Sequence, residues 1–231
     1  MANTTNPLRI AYLLFPALTA LDMFGPLNAL NLLSINYPMT LSLVSTDLKP
    51  ISIDRTIIDG VYQGMPTWAS PSFTEFVLPT HTLDDAPEAD VILVPGGAGT
   101  RNINYTQPHV DWLRTRMSDP ALQYMMTVCT GSSLLARTGM IAGKNATTNK
   151  AAFNWVKTVE HAEDVNWIAK ARWVVDGNVW TSSGVSAGTD MILGWIEQLY
   201  GTNESVRIKN LMEWNSLGKD DDPFAEVFGL V

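Results

Sequence analysis

The sequence predicts an α/β chain built on one mainly parallel sheet, with helices on both of its faces. Three observations carry that prediction. Short apolar runs that read as buried strands alternate with stretches of helical spacing. The loops joining them are rich in glycine and proline, and the single cysteine of the chain stands where one such strand turns sharply into a helix. With 231 residues, 46% hydrophobic and 16% charged, the chain can bury one large core and needs no second domain.

Taken in order, residues 1–7 read as a disordered lead-in. Residues 8–14 are apolar and stop at Phe15-Pro16, as a buried strand does, and Gly25-Pro26-Leu27 then opens a helical pattern through Leu33. Residues 41–45 read as a second strand, whereas 50–79 mix glycine, proline and short β-prone pieces and take no firm assignment. A strand at 91–94 enters Pro95-Gly96-Gly97-Ala98-Gly99, and 108–117 has helical spacing with Val110, Leu113 and Met117 on one side. Residues 123–128 are again strand-like, and 132–138 are helical with Gly139 as the stop. Strands at 172–175 and 179–181 flank Asp176-Gly177-Asn178, a hairpin signal because Asp-Gly readily takes positive φ. Helices are expected over 186–199 and 204–214, and 218–231 reads as an irregular extension. In a sheet of this kind a site forms at the carboxyl ends of the strands.

The formal net charge of −8 opposes a nucleic-acid or anionic-membrane partner, since neither attracts a surface with excess carboxylates. One cysteine forbids an intramolecular disulfide and a multi-cysteine zinc site, and it fits a reducing compartment, by default the cytosol. The apolar stretch 10–33 is interrupted by Asp22, Gly25, Pro26 and Asn28, which argues against a spanning helix or a signal-peptide core.

Cys129 lies in Thr127-Val128-Cys129-Thr130-Gly131-Ser132-Ser133, the cysteine counterpart of a nucleophile elbow. There a helix N-terminus is expected to lower the thiol pKa; the alternative is a buried cysteine that only packs. Pro95-Gly96-Gly97-Ala98-Gly99 lacks the Lys-Ser/Thr ending and the spacing of nucleotide loops. Either Gly96 and Gly97 aim amides at charge developing during attack by the cysteine, or they form a tight turn without chemistry. Asp22 is a lone acid in apolar company, suited to proton transfer or to capping the helix that follows. His81, His109 and His161 make no metal or dyad pattern and read as surface residues. The tryptophans, Trp68, Trp155, Trp167 and Trp214 among them, read as core or dimer-interface candidates.

On these motifs, together with Leu14-Phe15-Pro16, Leu21-Asp22-Met23-Phe24-Gly25-Pro26, Gly143-Lys144-Asn145-Ala146-Thr147-Thr148 and Gly184-Val185-Ser186-Ala187-Gly188-Thr189-Asp190, the chain resembles the ThiJ/PfpI superfamily, related to class I glutamine amidotransferases. Within it the chain resembles the isonitrile (isocyanide) hydratases. The resemblance implies a flavodoxin-like three-layer sandwich, a homodimer, Cys129 as nucleophile with Asp22 directed at its sulfur, and Thr130 orienting the acid and the reacting groups. It also implies Gly96, Gly97, Gly184 and Val185 as substrate- or oxyanion-binding positions. The implied reaction adds water to an isocyanide, giving an N-substituted formamide without metal or organic cofactor. Many relatives continue Ala-Thr-Thr with His-Trp where this chain has Asn149-Lys150, which argues against a Cys-His dyad. Ser182-Ser183-Gly184 also stands where the hydratases are more glycine-rich. Alternative readings are a glyoxalase-type conversion, hydrolysis of a small metabolite, or a non-catalytic redox sensor. Relatives that are regulators carry a DNA-binding domain, for which this sequence shows no basic helix-turn-helix segment.

Overall fold

The computed structural model describes residues 8–54 and 74–231. The lead-in, Trp68 and most of the unassigned 50–79 segment lie outside the described residues. Among those described, seven strands form the main sheet: β1 (Leu8–Leu13), β2 (Met39–Ser45), β5 (His81–Thr82), β6 (Val91–Val94), β7 (Tyr124–Thr127), β10 (Trp173–Asp176) and β11 (Val179–Ser182). Their order across it is β10-β11-β7-β6-β1-β2-β5. All neighbours pair in parallel except β10 with β11. Short strand pairs β3 (Ile51–Ser52) with β4 (Phe76–Val77), and β8 (Asn145–Ala146) with β9 (Asn166–Trp167), lie outside this sheet.

The central strands are apolar without alternation because both of their faces are covered; Val91, Ile92, Leu93 and Val94 are all buried. Helices α1 (Ala20–Ser34), α5 (Ser186–Tyr200) and α6 (Thr202–Met212) pack together, as do α2 (Ile103–Met117) and α3 (Gly131–Arg137). The flavodoxin-like architecture expected from the sequence is the one observed. Two short helices, α4 (Phe153–Val156) and α7 (Phe224–Val227), complete the set. The 218–231 segment, expected to be irregular, therefore holds α7, and its Asp222 is buried.

Both early helices begin before the proline at which the sequence pattern opens them. Helix α2 starts at Ile103, where the Asn102 side chain accepts from the Tyr105 amide, as a good N-cap does. Helix α1 starts at Ala20 with Thr19 as its cap, so Pro26 sits inside it and Asp22 lies in its first turn. An internal proline has no N–H for the carbonyl four residues earlier, here that of Asp22. The Tyr12 hydroxyl, on β1, donates to that carbonyl at 2.5 Å. A neighbouring strand thus replaces the missing rung and lets the helix run through its proline.

His109, expected at the surface, is wholly buried on α2, with Nε2 3.1 Å from the Leu14 carbonyl and its ring edge-on to Phe15. Burial pushes its pKa from 6.5 down to about 4, against the opposing pull of that hydrogen bond. The folded chain therefore binds fewer protons here than the unfolded chain. Stability from this group is complete above pH 6.5 and is lost as pH falls through about 4, a difference on the order of 3 kcal/mol. Thermal unfolding of wild type and His109→Gln is expected to diverge in slope between those pH values, the wild type losing more; parallel curves would refute it.

Candidate active site

The site lies where β1, β6, β7 and β11 end. From β1 the chain moves outward through β2 to β5 and then returns to the other side of β1 at β6, and such a switch point opens a crevice at the carboxyl ends of the strands. Cys129 stands two residues beyond the end of β7 and has φ +56. That left-handed conformation is rare for a residue with a side chain and is characteristic of strained functional turns. Two close approaches enforce the turn. A Cβ on Gly131 would meet the Val94 carbonyl oxygen at 2.5 Å, and one on Gly96 would meet the Thr130 amide nitrogen at 2.5 Å and Cys129 Cβ at 2.7 Å. The elbow predicted from Val-Cys-Thr-Gly-Ser is thus present.

The acid reaches the elbow from the first crossover. Residues 15–19 are tied to the glycine loop by Thr19 N–H donating to the Gly96 carbonyl (2.9 Å) and Gly99 N–H to that of Ala17 (3.1 Å). From the first turn of α1 the wholly buried Asp22 accepts from the Gly96 amide at 3.0 Å through Oδ2. Asp22 does not cap its helix; that alternative falls with the earlier start of α1. The Gly97 amide donates to Thr130 Oγ1 at 2.9 Å, and the Thr100 hydroxyl donates to the same oxygen at 3.2 Å. Both amides expected to face developing negative charge are thus committed inside the protein. Gly96 and Gly97 hold the acid and the threonine.

The thiol departs from expectation in the same way. Burial pushes the Cys129 pKa far up, and the Asp22 carboxylate pushes it further. Hydrogen bonds from the Thr130 and Val185 amides and from the Thr130 hydroxyl pull it down, but they do not prevail. Helix α3 is only seven residues long, too little to offset the desolvation of a buried anion. Burial and the neighbouring acid thus both favour the protonated form of the thiol.

Other neighbours complete the frame. The Thr148 hydroxyl donates to the Cys129 carbonyl at 3.0 Å, and the Cys129 amide donates to that of Ser183 at 2.9 Å. Val185, with φ +38 and ψ −87, precedes α5 and turns its amide toward the sulfur. Gly184 lies where an added Cβ would meet Asn149 Nδ2 at 2.6 Å. None of the three histidines enters the interactions that set the thiol pKa. Tyr12, Thr100 and Thr148 escaped sequence reasoning, although the four-residue interval from Asp22 to Pro26 was a legible sign of a carbonyl needing an outside donor.

Lys150, the second residue of the Asn149-Lys150 pair, is buried and forms an ion pair with Asp222 at 3.1 Å, each side chain 1% exposed. Its Nζ also donates to Thr147 Oγ1 (2.7 Å) and the Ala171 carbonyl (2.8 Å). Desolvation nevertheless holds its pKa below the usual lysine range.

A doubly wound sheet with a strained cysteine at one strand end, faced by an acid from the first crossover, defines a class of protein with a cysteine elbow. The DJ-1/PfpI family model matches residues 9–198, and the chain belongs to that family. The isonitrile hydratase of Pseudomonas putida is 32% identical over 208 residues, 90% of this chain and 78% of the relative. The HTH-type transcriptional regulator GbdR of Pseudomonas aeruginosa is 27% identical over 159 residues, 69% of this chain but 41% of the regulator. Among solved structures, a ThiJ/PfpI family protein from Pseudomonas syringae superposes with a TM-score of 0.69 at 23% identity, covering 95% of this chain and 78% of the other. Drosophila melanogaster DJ-1beta gives 0.69 at 17%, covering 91% and 100%. These last two likenesses speak for the fold. Among the described residues no helix is long and apolar enough to cross a membrane.

Proposed function

We propose that the protein is a cysteine-dependent hydratase that adds water to an isocyanide and releases an N-substituted formamide. The observation that carries this reading is the pairing of Cys129 with a buried acid, Asp22, which acts on the thiol pKa where a histidine does not. The similarity to the isonitrile hydratase supports it.

In the first step Asp22 takes the thiol proton as sulfur bonds to the terminal carbon and then delivers it to that carbon, giving the thioimidate Cys–S–CH=N–R. The Thr130 and Val185 amides stabilise the thiolate while it exists. Next, the Asp22 carboxylate takes a proton from water, the hydroxide adds to the same carbon, and nitrogen receives the proton. Collapse expels sulfur and returns the hydroxyl proton to it through Asp22. R–NC and water become R–NH–CHO, and the pair ends as it began, with one proton and one negative charge. No metal or organic cofactor has a role in this sequence. Thr130 acts by positioning, its oxygen fixed between the two loops.

The protein is proposed to work in the cytosol as a homodimer, a reading supported by exposed apolar side chains on α1, Leu21 and Phe24. They line an open groove with Met212 and Trp214. A redox-sensor role is disfavoured because oxidation needs an exposed, easily ionised thiol. The test is formamide formation from cyclohexyl or phenyl isocyanide. Wild type is expected to turn over, whereas Cys129→Ala is expected to match the buffer rate. Wild-type activity no greater than that of the variant, with turnover of methylglyoxal instead, would overturn the assignment.

A further inference from the structure

A cleft of about 240 Å³ opens beside the elbow, lined among others by Lys150, Arg172, Gly184, Val185, Phe224 and Phe228. It adjoins the reacting centre through Val185, the residue whose amide reaches the Cys129 sulfur. Its outer wall comes from the C-terminal segment. That segment is fastened by the buried Lys150–Asp222 pair, by the Arg172 amide donating to the Lys219 carbonyl at 2.7 Å, and by Lys170–Glu226 at 2.7 Å on the surface. Phe224 and Phe228 are each about half exposed (47% and 49%), so their rings present apolar surface to the cleft and to solvent.

The electrostatics restrict what the cleft can hold. Both cations that line it are already neutralised by buried carboxylates, Lys150 by Asp222 and Arg172 by Asp190 at 2.6 Å, and Asp190 is fixed further by Trp214 Nε1 at 2.7 Å. An anionic group entering would find no free positive charge to repay its desolvation. A neutral apolar group would find two aromatic faces.

We infer that this cleft receives the N-substituent of the substrate, and that Phe224 and Phe228 select a neutral, bulky alkyl or aryl substituent over a small or anionic one. The inference rests on the isocyanide reading above. It makes the C-terminal segment a specificity element contributed from outside the part of the chain that the family model covers, which ends at residue 198.

The test measures kcat/KM for cyclohexyl against methyl isocyanide in wild type, Phe224→Ala, Phe228→Ala and the double variant. Calorimetric titration of each protein with N-cyclohexylformamide and N-methylformamide runs alongside. The large-to-small ratio is expected to fall by about 10-fold or more in the double variant, in both turnover and binding. An unchanged ratio in a variant that still unfolds cooperatively overturns the inference. If the double variant does not fold, Phe224→Leu and Phe228→Leu replace it, and an unchanged ratio in both has the same force. Wild type inert toward every isocyanide defeats the reaction and not the cleft. The formamide titrations then decide alone, and equal affinities in wild type and variant refute the assignment.

Discussion

Replacing Asp22 by asparagine is expected to lower isocyanide turnover by about 10² to 10⁴-fold, the usual worth of a positioned acid–base group, while making Cys129 easier to ionise. The two effects have opposite signs and one cause. The substituted amide would keep an oxygen for the Gly96 N–H, which now donates to Asp22 at 3.0 Å, so the loop stays in place. It would remove the negative charge that, after burial, raises the thiol pKa. Thiolate absorbance should therefore begin at lower pH in the variant, although burial still holds it above an exposed cysteine. If Asp22 served only as a structural acceptor, turnover would stay close to wild type even as the titration shifts.

Asp222→Ala should lower stability by about 3–5 kcal/mol, because it leaves the Lys150 ammonium buried without its counter-charge. For a chain of this size that corresponds to a fall in Tm of roughly 10 °C, measurable by calorimetry. The hydrogen bonds from Lys150 to Thr147 and Ala171 remain, which places the result toward the lower end of the range. Removing both charges, as in Lys150→Met with Asp222→Leu, should recover most of the loss, since apolar packing replaces a buried ion pair at little cost. A single variant within about 1 kcal/mol of wild type would show the pair to be idle.

Legibility in the sequence followed the range of the interaction. The elbow was readable because its causes are local: a strand, a cysteine and two small residues within Val128 to Ser132. The alternation of elements gave the parallel sheet for the same reason. Contacts between distant segments were not readable, and they changed the chemistry most. Nothing near Cys129 in sequence announces that Asp22 raises its pKa, or that the Gly96 and Gly97 amides are already spent. Lys150 and Asp222 are far apart in the chain, and three consecutive aspartates suggest a solvated run, not one buried member. His109 was misread despite a usable signal, for it shares the helical phase of the buried Val110 and Leu113.

The Tyr12 hydroxyl and Pro26 fix more than one hydrogen bond. An unbroken helix can slide along a sheet and exchange one set of equivalent backbone groups for another. Helix α1 has a single carbonyl released by its proline, and β1 offers the phenol that answers it. The strand therefore acts as a gauge for the helix and sets how far along its axis α1 can seat. Because the released carbonyl belongs to Asp22 itself, the gauge reads at the acid, and the height of that carboxyl relative to the elbow is written into the sheet.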